Sequence, residues 1–345
     1  MSLEVVFGTE LPLIQAPLAG VQDVRLARAA SEAGALGSLP AAMLDAATLH
    51  RELVTLQEAG RPYNVNFFAH VPAAASGEAE ARWRSALAPY YAEFGVDPST
   101  LTAGPIRRPF DPDAAEVLES FRPTVVSFHF GLPAPDLLAR VKARGAVVLS
   151  SATTVEEALW LQKNGADAVI AQGLEAGGHR GHFLDPDVRR QAGTASLLPQ
   201  VVAALDIPVI AAGGIADADG VRAAMQQGAA AVQVGTSFLL CSEATTSVLH
   251  RARLRDTAAP TALTNLFSGG LARGLLNRAM RELGPVSAVA PAFPHASGAV
   301  APLRAKAEAM GRDDFTPLWS GTDRSGCREA PAADVVRALA AGFTR

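Results

Sequence analysis

Eight short apolar runs, each bounded by glycine or proline and followed by a helical pattern, set the strongest limit on how this chain can fold. They are LPLIQAP (11–17), ALGSLP (35–40), YNVNFF (63–68), TVVSFHFG (124–131), AVVLSSA (146–152), DAVIAQG (167–173), PVIAAG (208–213) and AAVQVG (230–235). The runs are continuous rather than alternating, the pattern of parallel strands covered on both faces. Three junctions are alike: ARGAVVL (143–149), KNGADAVI (163–170) and QQGAAAVQV (226–234) each join a helix end, a glycine and a strand. Glycine supplies the left-handed conformation that ends a helix. Eight such repeats predict an α/β chain folded as a (β/α)8 TIM barrel, with an open doubly wound sheet as the alternative.

Two segments interrupt the repeat. Residues 69–111, with WRSALAPYYAEFG near their middle, read as a helical insertion in the 1–240 barrel. Residues 241–310 read as a helical cap domain broken at Pro260, at Gly269-Gly270 and in PAFPHASG (291–298). The segment 311–345 is expected to return to the barrel through a helix over 332–342. Loops that follow barrel strands share one face, so both excursions can roof a site there.

Composition narrows the partners. With 49% hydrophobic and 19% charged residues the chain is globular in character, and its net charge of −4 includes no basic block. Nucleic acid and anionic membranes are therefore not indicated. No apolar stretch approaches the roughly 18–20 residues of a membrane span, and no secretory leader pattern is present. Cys241 and Cys327 are far apart and lack a CxxC or histidine companion, which argues against a disulfide framework or metal site and fits a cytoplasmic protein. The expected partner is a small molecule, with a homodimer left open.

In a barrel the ends of the runs meet at one mouth. That collects Ala16, Pro17, Asn66, His129, Ser150, Ser151, Gln172, His179, Gly213, Gly214, Gly235 and Thr236. AAGGIADADG (211–220) and QVGTSF (233–238) end strands seven and eight, where barrels bind phosphate through backbone N–H groups. Asn66 and Gln172 offer carboxamides to a ring with donors and acceptors. A ring plus a phosphate points to flavin mononucleotide (FMN). QGLEAGGHRGHF (172–183) concentrates glycines beside His179 and His182. Its glycines would let the loop pass close to the cofactor and bring His179 to the substrate, where an imidazole accepts or donates a proton near neutral pH. His182 reads as structural or solvent-facing. His129 reads equally as a second active-site histidine or a satisfied core residue. Lys306 reads as either an anion-holding residue of the cap or an exposed helical lysine. GxGxxG, GxxxxGK[ST] and GxSxG are all absent, which removes the usual signatures of Rossmann, P-loop and nucleophile-elbow enzymes.

LPLIQAPLAG, VNFF, VVSFHFG, QGLEAGGHRGHF, IPVIAAGGIAD and QVGTSFL, in that order, resemble the nitronate monooxygenase family, formerly called 2-nitropropane dioxygenases. The resemblance spans roughly residues 5–245 and continues more weakly through SGGLARGLLNR (268–278) and APLRAKAE (301–308). It implies an FMN-dependent oxidation of alkyl nitronates, such as propionate 3-nitronate, by O2 to a carbonyl compound and nitrite. It further implies FMN contacts from Asn66, Gln172, Gly177 with Gly178, Gly214, Gln233, Val234, Gly235 and Thr236. His179 becomes the catalytic histidine, with His129 and Lys306 as further active-site residues. Tyrosines around the pocket are implied as well, and this chain has only Tyr63, Tyr90 and Tyr91. Two other readings stay open: an NAD(P)H-dependent flavin reductase acting on a quinone or enoyl thioester, and a non-catalytic barrel that binds a phosphorylated ligand.

Overall fold

The structure, a computed structural model, describes residues 7–100 and 107–343; positions 1–6, 101–106 and 344–345 of the expected units lie outside the described residues. Each of the eight apolar runs contains a strand. They are β1 (Leu13–Gln15), β2 (Gly37–Pro40), β3 (Tyr63–Phe68), β4 (Val125–His129), β5 (Val147–Ala152), β6 (Ala168–Gln172), β8 (Val209–Ala212) and β9 (Ala231–Val234), with a two-residue β7 (Gly178–His179) outside the set. The parallel order is β1-β9-β8-β6-β5-β4-β3-β2, and an Ile14–Leu36 bridge joins the two ends. The chain is a (β/α)8 TIM barrel.

Burial explains why the runs are continuous. On the inside, Ile14, Leu36, Val125, Leu149, Ala168, Ile170, Ile210 and Ala231 pack around Phe7. On the outside, alternate strand residues such as Val169, Val209 and Val232 meet the surrounding helices. Most helices begin where an Asp, Ser, Thr or Asn side chain caps a free amide, as Asp45, Asp111, Thr154 and Asp217 do. The three alike junctions end as expected, with left-handed Gly145, Gly165 and Gly228 just past the helices. Helix Ala332–Ala340 lays Val335, Val336 and Leu339 on the barrel's outer core. Among the described residues no helix is long and apolar enough to cross a membrane.

The 241–310 region departs from the helical expectation. Beside helices Val248–Arg255, Arg278–Glu282 and Ser297–Ala309 it holds two strands, β10 (Thr261–Thr264) and β11 (Ala272–Leu275). They pair antiparallel, and β11 also pairs with β7, bringing Ala272 opposite His179 and Arg273 opposite Gly178. The strands form because this non-local pairing satisfies their backbone groups, which four-residue segments cannot do alone. The insertion contributes helix Gly77–Phe94, which packs on the cap through Trp83, Leu87, Tyr91 and Phe94. Trp83 Nε1 donates to Ala296 O (3.2 Å) and the Tyr91 hydroxyl to Ala299 O (2.8 Å).

Candidate functional site

The C-terminal ends of the barrel strands open into one cavity. Of the residues singled out in the sequence, Ala16, Pro17, Asn66, His129, Ser151, Gln172, Gly177, Gly178, His179, Gly213, Gly214, Gln233, Gly235 and Thr236 line it. Ser150, whose hydroxyl donates to Gly131 O (2.7 Å), His182, Val234 and Lys306 do not. Val234 is buried in the outer core, because strand alternation turns it away from the cavity that Gln233 faces. Lys306 is exposed on helix Ser297–Ala309, off the stripe of Val300, Leu303 and Ala307 that faces the cap core. None of the three tyrosines reaches the cavity.

The QGLEAGGHRGHF loop is held from several sides. His179 O accepts from Gln172 Nε2 (2.9 Å), and His129 Nε2 lies 3.1 Å from the same oxygen. Gly181 N donates to Gln172 Oε1 (2.8 Å). Both ends of the Gln172 carboxamide are therefore engaged by the loop, where the sequence suggested they would meet a ligand. His129 is likewise occupied: with Nε2–H donating to the carbonyl, Nδ1 accepts from Ser151 Oγ (3.1 Å). Burial pushes its pKa down to about 4, so it is neutral at pH 7 and positions the loop. Arg180, fully buried, donates to Gln191 Oε1 (2.8 Å), Gly173 O (2.6 Å) and Gln172 O (2.7 Å). Gly177 is required because a Cβ there would come within 2.5 Å of Gly321 N.

Among the described residues the His179 ring has one hydrogen-bond partner, Ser268 Oγ, at 2.8 Å from Nε2. Phe293 and Trp319 lie with ring centroids 5.5 Å away. Burial first, then the Arg107 charge and the neighbouring histidines, hold its pKa well below the usual histidine range. The imidazole is neutral at physiological pH, able to donate through one nitrogen and accept through the other.

Opposite this loop lies a set of free donors and acceptors. Gly213 and Gly214 are both left-handed and lead into helix Ala218–Gln226. The amides of Gly214, Gly235 and Thr236 donate to no protein acceptor among the described residues. Gln233 Oε1 is buried without a partner. Asn66 Nδ2 donates to Ser127 Oγ (2.9 Å), leaving its Oδ1 toward the cavity. Unpaired amides suit a phosphate and orphan carbonyl oxygens suit ring N–H groups, so the donor set fits a flavin nucleotide.

Sequence reasoning missed several lining residues. Segment Trp319 to Asp323 closes the cavity, with Gly321 N donating to Thr236 Oγ1 (3.0 Å) and Thr322 N to Glu175 O (3.0 Å). The Ser- and Gly-rich WSGTDRSG tract was the available signal. Arg107 also lines the cavity, and nothing in its proline-rich surroundings singled it out.

A barrel mouth with this loop and this histidine occurs together with a match to the nitronate monooxygenase family model over residues 2–342. The chain belongs to the nitronate monooxygenase family. It is 42% identical over 339 residues to a nitronate monooxygenase of Pseudomonas aeruginosa, covering 96% of each chain. It is 40% identical to one of Paraburkholderia phytofirmans, covering 96% of this chain and 92% of that one. Among solved structures it is similar to the nitroalkane oxidase of Streptomyces ansochromogenes, with TM-score 0.89 and 39% identity over 99% and 98% of the two chains. FabK from Thermotoga maritima, at 23% identity and TM-score 0.71, shares the fold. As a member of the nitronate monooxygenase family, the chain is an oxidoreductase.

Proposed function

We propose that this member of the family binds FMN and oxidises alkyl nitronates with O2 to a carbonyl compound and nitrite, with His179 acting on the substrate. What supports the reading is the His179 imidazole, neutral and with one protein partner, facing the same cavity as the unpaired amides and orphan oxygens. Gly214, Gly235 and Thr236 would hold the phosphate, and Asn66 Oδ1 and Gln233 Oε1 the ring N–H groups. Bound FMN supplies the redox chemistry, carrying electrons from substrate to O2.

The protein's own task is orientation and proton control. When Ser268 Oγ–H donates to Nε2, His179 presents Nδ1–H to a nitronate oxygen. When Nε2–H donates to Ser268 Oγ, Nδ1 has a lone pair for the α-proton of a neutral nitroalkane. A nitronate arrives already deprotonated and needs only the first arrangement. Phe293 and Trp319 beside the ring exclude water and strengthen that hydrogen bond. Lys306 and His129 have no direct part in this scheme.

The test is oxygen uptake and nitrite release by the purified yellow protein with propionate 3-nitronate, in the absence of NAD(P)H. Turnover is expected. An FMN-loaded protein that consumes no oxygen but is bleached by NAD(P)H would be a reductase. His179→Asn is expected to abolish use of neutral nitroalkanes and weaken nitronate turnover while FMN stays bound. Unchanged turnover of both would remove His179 from the mechanism.

A further inference from the structure

Arg107, at the wall of the cavity, is a cation without a counter-ion among the described residues. It makes no hydrogen bond or ion pair among the described residues, and its Nη1 is buried without a partner. By contrast, the fully buried Arg180 donates from each of its three guanidinium nitrogens to a protein acceptor. Its position is fixed from the backbone, since Phe110 N donates to Phe68 O (2.7 Å) and Pro109 bridges to Phe68 at the end of β3.

The described residues around it offer no anion. Burial and the Arg304 charge both disfavour its cationic form. The two carboxylates lining the cavity have amides of their own: Glu175 accepts from Thr194 N (2.8 Å) and Asp323 from Ser325 N (2.8 Å). A guanidinium held partly out of water without a partner is costly, and an incoming carboxylate would relieve that cost through a planar two-point contact.

We propose that Arg107 is a specificity residue that binds a carboxylate at the far end of the substrate, so that the enzyme selects nitronates carrying a second negative charge. The inference rests on the nitronate reading given above. His179 engages the nitronate head, and Arg107, which lines the same cavity, takes the tail. An uncharged alkyl tail leaves the guanidinium unpaired.

The experiment compares wild type, Arg107→Gln and Arg107→Lys holoenzymes on propionate 3-nitronate and on butyl 1-nitronate, which lacks the carboxylate. Arg107→Gln should reduce the kcat/KM preference for the carboxylated substrate about 10- to 100-fold, the range of one charge-assisted contact. The loss should fall on KM, with butyl 1-nitronate changed less than about threefold on the same scale. Arg107→Lys should recover part of the preference. Equal losses on both substrates would assign Arg107 to the nitronate head, and loss of bound flavin would assign it to the cofactor; either overturns the proposal, as does an unchanged preference.

Binding of 3-nitropropionate, followed by the flavin absorbance change, gives a readout without turnover. Its Kd should rise about 10- to 100-fold in Arg107→Gln while that of 1-nitrobutane stays constant. If wild type turned over neither nitronate, the proposed function would fail while this binding arm still decided the role of Arg107. Equal affinity for 3-nitropropionate in wild type and Arg107→Gln would overturn it.

Discussion

Replacing Arg180 by methionine should cost the protein about 2–6 kcal/mol and disable the loop that carries His179. The side chain is 0% exposed, and its guanidinium makes three hydrogen bonds of 2.6–2.8 Å. Each such charge-assisted bond contributes roughly 1.5–3 kcal/mol, and its loss leaves a buried acceptor unpaired. Against this stands the cost of burying the charge. Desolvation pushes the Arg180 pKa down to about 10, which corresponds to roughly 3 kcal/mol that the substitution recovers. Methionine keeps most of the stem's volume, so cavity formation adds little. The assay is urea unfolding at unchanged m value, with Arg189→Met as control, because Arg189 is 86% exposed and pairs only at the surface. The control should stay within about 0.5 kcal/mol of wild type. A loss below about 1 kcal/mol for Arg180→Met would show that the three acceptors find other donors, and the account of the loop would be wrong.

Ser268→Ala removes the one protein hydrogen bond to the His179 ring and should lower kcat about tenfold with FMN content unchanged; a kcat within twofold of wild type would remove Ser268 from the positioning of that ring. His129→Phe should be milder than His179→Asn and leave the shape of the pH–rate profile unchanged, because both nitrogens of His129 are already bonded, Nε2 to the His179 carbonyl and Nδ1 to Ser151; a shifted profile would make it a proton carrier. Acid should destabilise the fold early. His70, His129 and His250 are held at about 4 by burial and His179 well below its usual range, whereas in the unfolded chain all four protonate near 6.5. Stability is therefore complete above about pH 6.5 and falls toward pH 4, each histidine adding at most about 1.4 kcal/mol per pH unit. A urea midpoint that stays flat from pH 7 to 5 would contradict this.

The barrel was legible because its strands are buried on both faces, which forces continuous apolar runs between glycines and prolines. The small sheet was not. TALT and ARGL are too short for periodicity to register, and they become strands through pairing with each other and with β7. Asn66, His179 and the glycine pairs could be placed at the mouth because each lies in the C-terminal half of a barrel strand or in the segment that follows one. The side chain of Val234 packs in the outer core while Gln233 beside it faces the cavity, as two-residue alternation along β9 dictates. Lys306 sits one position from the buried Ala307 on an amphipathic helix, and helical phase decides its exposure. Arg107 and Trp319 come to the mouth from an insertion exit and a C-terminal loop, by tertiary contacts that no local pattern encodes.

The site divides its polar groups between two tasks. Gln172, His129, Arg180 and the β7–β11 pairing all act on the backbone from Gln172 to Gly181, and none bonds the imidazole of His179. The loop is thus fixed while the ring keeps, among the described residues, the Ser268 hydroxyl as its one partner, which can donate or accept. Because burial holds the ring neutral, its working alternatives are two tautomers rather than two charge states. That arrangement suits a substrate that arrives as an anion: a neutral N–H can bind it without being titrated, and a rigid loop places the donor without reorganisation during the reaction. A histidine with an ordinary pKa would supply a stronger donor when protonated, but only over part of the physiological pH range, and as a base it would be lost below about 6.5.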